Sequence, residues 1–306
     1  MAHVQFISPA DVDGWRTPAR LLRDPPPPRD CDAISVTVEN PASSKIWDDK
    51  SMRSFAFADW PQAPTDEVAR AAMRDPSFAM VSKRRAIVTT SYCSYGFGWM
   101  KDTSILSNLS NLRLRPPCRV RPCGRVHTEF ASLTTVQRNS IPKLLVSDVI
   151  EAFEAAQRAS GRVPLLFIDV FAGWGSASEE AQQRGLLVFS NDILPNRGDA
   201  NTDFDMRDIQ LSDLIVLGIR RYEKEIKERI DPAHFDSLFD SSASIKERLS
   251  TSRVGVLLHM SFPCTTYSTA GGGHHRPAGS STALTPTAVA HDQMLSSFIC
   301  QLQSLC

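Results

Sequence analysis

A chain of 306 residues can bury a sizeable core and is long enough for one or two domains. Its hydrophobic fraction of 42% and charged fraction of 22% are ordinary for a globular protein, and no apolar run approaches the roughly 20 residues of a membrane span. Basic and acidic residues balance at 34 each, so no global basic field indicates a polyanionic partner, although a local cleft could still be basic.

The cysteine pattern indicates a reducing compartment. The count is odd, the spacing is irregular and no signal peptide is evident, all of which argue against a disulfide framework. We therefore expect a soluble intracellular protein, nuclear or cytoplasmic rather than secreted, with no membrane partner. The seven cysteines lie at positions 31, 93, 118, 123, 264, 300 and 306.

The first 32 residues are predicted to be a linker or loosely attached arm, because the four prolines of Asp24–Arg29 favour an extended polyproline conformation. Ala33–Val38 alternates and is β-branched, which predicts a strand that runs directly into Glu39-Asn-Pro. Open α/β sheets bind ligands beyond the carboxyl ends of their strands, so Glu39 is a candidate site residue. A solvated glutamate in a strand-end turn fits this segment equally well.

The next elements are a helix over Asp66–Arg74 and a strand over Arg85–Thr90. An aromatic, glycine-containing loop then spans Ser94–Thr103 and carries Lys101. Such a loop could surround a polyanion or a base, or it could simply cover the core.

Arg113–His127 is locally basic, with five arginines and no acidic residue. It could contact phosphates, or it could be a solvated loop. Cys118, Cys123 and His127 have a spacing typical of metal ligands, but no fourth ligand is clear beyond the candidate Cys93, and we assign no metal here.

The strongest structural signal begins with an amphipathic helix over Lys143–Ser160, which follows Pro142. A buried-type strand at Leu165–Phe171 comes next, then a tight turn, Ala172–Gly175, and a helix over Ser176–Arg184. The glycines would let a ligand approach the backbone closely, and the start of the helix offers unpaired N–H groups.

The following strand, Leu186–Ser190, ends in Asn191-Asp192. An acid about 20 residues after a glycine turn is where a ribose hydroxyl is bound. Further acids in Asp203–Asp208 are predicted near the end of a third strand. We predict a charged surface helix over Leu214–Ile230 and a polar connection over Asp236–Arg253.

The last segment predicts a thiol at the edge of a sheet. A strand at Val254–Met260 precedes Ser261–Ser268, which contains Pro263-Cys264, and a glycine-rich loop and a helix over Thr287–Leu305 follow. A free cysteine is usually a small buried hydrophobe, but the proline before Cys264 and the hydroxyl residues after it favour a nucleophile.

Taken together, these motifs resemble the cytosine-5 DNA methyltransferases. The resemblance covers roughly residues 33–305 and is closest to the phage-type branch of the family. It depends on Phe171-Ala-Gly-Trp-Gly175, Asp192, Pro263-Cys264, Glu39-Asn-Pro, the loop from Cys93 to Thr103, and Asn139-Ser-Ile-Pro142, which is similar to the family's Asn-Ser-Val-Pro element.

The order of the motifs is that of a circular permutant, because the family's last group comes first here. A piece excised out of register from a tandem array would give the same order. The resemblance implies an α/β, Rossmann-like, S-adenosylmethionine-dependent methyltransferase sheet in one domain over residues 33–306. Residues 33–103 would be its catalytic second half, 104–136 a small basic target-recognition appendage, and 137–306 the cofactor-binding first half.

The resemblance also implies a reaction, with DNA as the partner and a flipped cytosine as the substrate. The thiolate of Cys264 would attack C6 of the base. Glu39 would act at N3, which requires a raised carboxyl pKa in a dry pocket, and Lys101 would lie close by. C5 would then accept a methyl group from S-adenosylmethionine.

The cofactor pocket implied by the resemblance has Phe171 and Trp174 flanking the adenine and Asp192 binding the ribose. Asp208 would take the adenine amino group, although Asp205 could serve instead. The remaining implied pocket residues are Gly173, Gly175, Ile193, Pro263 and Asn139.

The sequence departs from the family pattern in two places and leaves three alternatives open. Thr265 replaces the usual glutamine after Pro-Cys, and Glu-Asn-Pro replaces Glu-Asn-Val. The recognition region, Leu112–Thr135, is short, so selectivity could be low or supplied by a partner. The alternatives are a tRNA-type RNA cytosine-5 methyltransferase, a catalytically inactive DNA-binding remnant, and a zinc-binding interaction module at Cys118–His127.

Overall fold

A computed structural model describes most of the chain from residue 33 onward. The described residues are 33–58, 80–81 (backbone only), 85–119, 122–129, 132–192, 201–262, 266–267, 274–277 and 282–305. The predicted linker over residues 1–32 and the predicted helix Asp66–Arg74 lie outside them.

Strands and helices alternate along much of the described chain. The strands are β1 (Ile34–Pro41), β2 (Met80–Val81), β3 (Ala86–Ser91), β4 (Asp102–Ser107), β5 (Val163–Asp169), β6 (Leu187–Ser190) and β7 (Val254–Ser261). The helices are α1 (Lys50–Ala56), α2 (Thr135–Asn139), α3 (Lys143–Ala159), α4 (Ser176–Gln183), α5 (Leu211–Arg221), α6 (Glu223–Arg229), α7 (Pro232–Phe235), α8 (Ile245–Ser252) and α9 (Pro286–Leu305). Short 3-10 turns occupy Lys45–Asp48, Tyr92–Tyr95 and Asp236–Phe239.

The strands form one mixed sheet in the order β2-β3-β4-β1-β7-β5-β6. The four strands β1, β7, β5 and β6 run parallel, while β4 is antiparallel to β1 and to β3. The predicted α/β class is therefore confirmed, and the arrangement is compatible with a Rossmann-like fold.

Helices cover both faces of the sheet, so the core has two layers. Ile168 of β5 and Val256 and Leu258 of β7 belong to one hydrophobic cluster, while their neighbours Phe167 and Leu257 belong to the other, as the strand repeat requires. One cluster packs the sheet against α1, α5, α8 and α9, and the other packs it against α3 and α4. Burial on both faces explains why these strands read as continuous apolar runs.

Local sequence signals explain where several helices begin. Thr134 with Gln137 and Ser244 with Glu247 form capping boxes at the starts of α2 and α8, and Pro142 precedes α3. None of the helices within the described ranges is long and apolar enough to cross a membrane.

Four local predictions need correction. Part of the predicted Ser94–Thr103 loop is structured, because the Tyr92–Tyr95 turn and β4 bound it. The helix predicted over Leu214–Ile230 is two helices broken at Tyr222, whose hydroxyl donates to the Val188 carbonyl of β6. The other two corrections concern the segments 236–253 and 203–208. The polar connection over Asp236–Arg253 contains α8, and near Asp203–Asp208 the described backbone forms only an isolated bridge between Asn191 and Thr202.

Candidate functional site at the carboxyl edge of the sheet

The parallel strands end along one edge of the sheet, and most of the predicted site residues lie there. Glu39 is in β1, directly paired with Ser261 of β7, and Asp169 and Asp192 lie at or just after the ends of β5 and β6. Glu39 and Ser261 are far apart in the chain but are neighbours in the sheet. Pro263, Cys264 and Ile193, which the sequence also assigned to the site, are outside the described residues.

Glu39 is buried in a network of hydroxyl groups. Tyr92 Oη donates to its Oε1 at 3.0 Å and Ser261 Oγ donates to its Oε2 at 2.9 Å. Thr103 Oγ1 also contacts Oε1 and lies 2.9 Å from the carbonyl oxygen of Asn40. A carboxylate accepts about four hydrogen bonds, so these three donors leave Oε2 room for one more.

The electrostatics of Glu39 correct one expectation from the sequence. Burial raises the pKa of the Glu39 carboxyl, but the positive charge of Lys101 and the three hydroxyl donors outweigh burial, so the pKa lies below its usual value rather than above it. Lys101 Nζ stands 4.6 Å above the Tyr92 ring and 3.4 Å from its hydroxyl. Glu39 is therefore an ionised acceptor at neutral pH in this arrangement.

Asn40 connects the end of β1 to the chain that leads to Cys264. Its side-chain Nδ2 donates to the carbonyl oxygen of Phe262 at 3.1 Å. Asn40 is 1% exposed, and within the described residues its Oδ1 accepts no hydrogen bond. A buried acceptor without a donor is costly, which makes this atom a candidate ligand contact.

The chain is held again on the other side of Cys264. Lys45 N donates to the Tyr267 carbonyl oxygen at 2.9 Å, and Tyr267 Oη donates to Asp292 of α9 at 3.0 Å. Thr266 lies 2.8 Å from His291 Nδ1. Phe262 and Thr266, each two residues from Cys264 in the sequence, are thus both tied to the folded core.

A buried arginine strengthens this second attachment. Arg276 is 3% exposed and forms a two-pronged ion pair with Asp292, at 2.6 and 3.1 Å. Its Nε donates to the Thr266 carbonyl oxygen at 2.8 Å, and its guanidinium stacks over the Tyr267 ring. The segment after Cys264 is therefore anchored by charge as well as by backbone hydrogen bonds.

The glycine turn after β5 leaves space for a ligand to approach its backbone. Gly173 and Gly175 have φ angles of 54° and 72°, a left-handed conformation that favours glycine. Within the described residues, a Cβ added at either position would meet no atom within 4 Å, so the space above the turn is open. Asp192 Oδ2 accepts from Gly173 N at 2.8 Å and joins the end of β6 to the turn.

Aromatic packing joins Phe171, beside the glycine turn, to Phe262, the last described residue before Cys264. The Phe171 ring is 5.1 Å from that of Phe262 and 5.6 Å from that of Phe298 of α9. Phe171 is therefore partly engaged in the core, while Trp174 in the same turn is 36% exposed. Of this predicted pair, Trp174 has the more accessible ring.

Asn139 and Asp208 are the remaining predicted cofactor-site residues among those that the structure describes. Asn139 ends α2, and two residues later Ile141 N donates to Ser176 Oγ at 3.1 Å, which brings this segment to the glycine turn. Asp208 is exposed, and the alternative Asp205 is engaged by the Arg207 guanidinium and backbone N–H.

Sequence reasoning missed three residues that contact Glu39. Tyr92 and Thr103 are distant from it in the chain and come close only through the antiparallel pairing of β1, β4 and β3. The β-branched Thr103 and Ile105 after Lys101 are a weak strand signal, the only local one for β4 and hence for Thr103. The Ser261 contact follows from the parallel register of β1 and β7, which sequence does not specify.

A second cluster, of three cysteines and one histidine, includes Cys93, the residue that follows Tyr92 in the chain. The ligand atoms of Cys93, Cys118, Cys123 and His127 are all within 4.8 Å of one another. This donor set could hold a metal ion, and it includes the fourth residue that the sequence left open.

No protein-family model matches this chain, and the comparisons with curated proteins and with solved structures also give no match. Its function has to be inferred from the geometry of the site and from the motifs that occupy it.

Proposed function

We propose that the protein methylates C5 of cytosine in DNA, with S-adenosylmethionine as methyl donor. The observation that supports this best is the pairing of Glu39 with Ser261, three residues before Cys264, on neighbouring parallel strands. It brings the buried Glu39 carboxylate to the strand end from which the chain continues to Cys264, although the two residues are 225 positions apart (264 − 39).

The topology supports a cofactor site beside this edge. The chain passes from β5 through α4 to β6 on one side, whereas β7 lies on the other side of β5. Such a switch point, at the carboxyl ends of the strands, is where open α/β sheets bind ligands. The glycine turn and Phe262 flank it, so S-adenosylmethionine is proposed to lie there, held by Trp174, the glycine backbone and Asp192.

The order of the elements supports circular permutation. β7 and β1 are parallel neighbours, yet among the strands of the described residues one is the last and the other the first. Parallel neighbours are ordinarily joined by a crossover helix, and α9, which follows β7, packs against α1 after β1. Ser51 Oγ of α1 lies 3.2 Å from Ser296 Oγ of α9. Connecting α9 to β1 would give an ordinary β-α-β unit.

The proposed chemistry assigns each group a step. N3 of the bound cytosine takes a proton from water, and addition of the Cys264 thiolate to C6 then breaks the C5–C6 double bond and moves its electron pair onto C5. The ionised Glu39 stabilises that proton as an acceptor, through the remaining lone pair on Oε2. S-adenosylmethionine, when bound, supplies the methyl group to C5. Water then accepts the C5 proton, the thiolate leaves C6 as the C5–C6 double bond forms again, and N3 returns its proton to solvent.

Asp192 provides a test of the cofactor site that is separate from catalysis. Asp192→Asn can still accept the Gly173 N–H, but its amide is a poorer acceptor for ribose hydroxyls. We expect binding of S-adenosylmethionine to weaken by about 1.5–3 kcal/mol, roughly 10- to 100-fold in Kd, because a hydrogen bond to a charged group is lost. Calorimetry measures the change, with exposed Glu225→Gln of α6 as the control that should bind normally.

The proposed function itself is tested by incubating the purified protein with methyl-labelled S-adenosylmethionine and either duplex DNA or tRNA. We expect label in DNA, recovered as 5-methylcytosine after nucleoside digestion. Label confined to tRNA would assign the same chemistry to RNA. DNA binding without calorimetric binding of S-adenosylmethionine would identify an inactive remnant and contradict the proposal.

A further inference from the structure

Four potential metal ligands converge from three separate parts of the chain. Cys93 belongs to the 3-10 turn after β3, Cys118 to the loop that follows β4, and Cys123 and His127 to one tight turn. Cys93 and Cys118 are buried, while the other two are half-buried. This set is independent of the proposed methyl transfer.

The distances suit a tetrahedral ion. His127 Nε2 lies 3.2 Å from Cys123 Sγ and 3.8 Å from Cys118 Sγ. Bonds of about 2.3 Å to sulfur and 2.0 Å to nitrogen would separate tetrahedral ligand atoms by about 3.5–3.8 Å. All four ligand atoms already lie within 4.8 Å of one another, so only small side-chain movements are needed.

A dense set of hydrogen bonds holds Cys118 against the turn that carries Cys93. Cys118 N donates to Ser91 Oγ at 2.8 Å, and Ser94 Oγ donates to the Pro116 carbonyl oxygen at 3.0 Å. The Arg115 guanidinium donates to the Ser94 carbonyl oxygen at 2.9 Å. The two buried cysteines are therefore brought together by hydrogen bonds between side chains and backbone that do not involve the thiols themselves.

The chain bends between Cys123 and His127, and the ligand atoms of both residues lie in the same cluster. Gly124 has a φ angle of 72°, which lets the chain reverse immediately after the cysteine. The three-residue spacing between Cys123 and His127 falls within the range seen for paired zinc ligands.

We propose that Cys93, Cys118, Cys123 and His127 form a structural Cys₃His zinc site. Four protein ligands and no open position are typical of structural rather than catalytic zinc. The ion would fix the basic segment 113–127 to the turn that begins at Tyr92, the residue that donates to Glu39. It would thereby hold the basic loop in a set position beside the candidate catalytic edge.

The test is metal analysis of the full-length protein purified without added chelator. We expect one zinc per chain in the wild type, near-complete loss in Cys118→Ser, and full occupancy in Cys300→Ser, which removes an exposed cysteine of α9. His127→Cys should retain zinc, because four thiolates also bind the ion tetrahedrally.

A measurement on the wild type makes the test independent of variant folding. Removing zinc with a chelator should lower the thermal midpoint, and adding zinc back should restore it, since an ion that binds only the folded state stabilises it. Cobalt substitution should give thiolate-to-metal absorption bands. Absence of zinc, bound iron, a disulfide among the three cysteines, or equal zinc in wild type and Cys118→Ser would each overturn the proposal.

Discussion

Replacing Cys264 with alanine is expected to reduce methyl transfer by on the order of 10⁴-fold or more, because the thiolate that adds to C6 is gone. Binding of S-adenosylmethionine should stay within about twofold of wild type, since the substitution leaves the glycine turn and Asp192 intact. Transfer rates and calorimetry on the same preparation give both numbers.

Cys300→Ala is the matched control for Cys264→Ala. Cys300 is an exposed free cysteine on α9, and its replacement should leave both transfer and binding unchanged. Retained transfer in Cys264→Ala, or equal loss in Cys300→Ala, would contradict the assignment of the nucleophile.

Glu39→Gln is expected to lower the turnover rate by about 10²–10⁴-fold, the usual range for removing a group that assists proton transfer. The physical reason is the charge: an ionised Glu39 stabilises a proton on N3, and a neutral amide does so far less well. Single-turnover transfer measured with saturating S-adenosylmethionine isolates this effect.

The fold should tolerate this substitution, which keeps the test interpretable. Glutamine has nearly the same shape, and its amide oxygen can still accept from Tyr92 and Thr103. Glu154→Gln on α3, where the carboxylate forms a surface pair with Arg158, serves as the control and should retain normal rates. Near-normal turnover in a well-folded Glu39→Gln variant would contradict both the role of Glu39 and the permuted order.

Most of the parallel half of the sheet could be predicted from sequence, and for a clear reason. Strands buried on both faces are continuous apolar runs, as in Leu165–Phe171, and the helices beside them repeat at helical spacing. By contrast β4 contains Thr103, Ser104 and Ser107, all of them buried, and its polar composition resembles a loop. The break at Tyr222 coincides with a tertiary hydrogen bond from its hydroxyl to the Val188 carbonyl oxygen, a contact that no local pattern contains.

Several residues of the candidate site could be predicted from the sequence, but the groups that surround Glu39 could not. The glycine turn and Asp192 were predicted from local motifs, and in the structure Gly173 N donates to Asp192 Oδ2 at 2.8 Å. The state of Glu39 was predicted wrongly, because burial alone raises a carboxyl pKa. Lys101 and three hydroxyl donors reverse that direction, and only strand register brings Tyr92 and Ser261 to Glu39.

The four proposed zinc ligands, too, could be predicted only in part from the sequence. Cys118, Cys123 and His127 lie close together in the sequence, and their spacing alone suggested three ligands. Cys93 is 25 positions from Cys118 (118 − 93), and it joins them only because the loop after β4 folds back onto the end of β3. Completing a metal site thus required long-range contacts that spacing rules do not include.

The central claim, that Cys264 and Glu39 act together on cytosine, is tested most directly with DNA containing 5-fluorocytosine. Fluorine cannot leave C5 as the proton does, so the elimination that frees Cys264 would be blocked. With S-adenosylmethionine present, mass spectrometry should find DNA and one methyl group covalently attached through Cys264, with much less complex in Glu39→Gln. No complex from a protein that binds S-adenosylmethionine, or attachment through another residue, would contradict the claim.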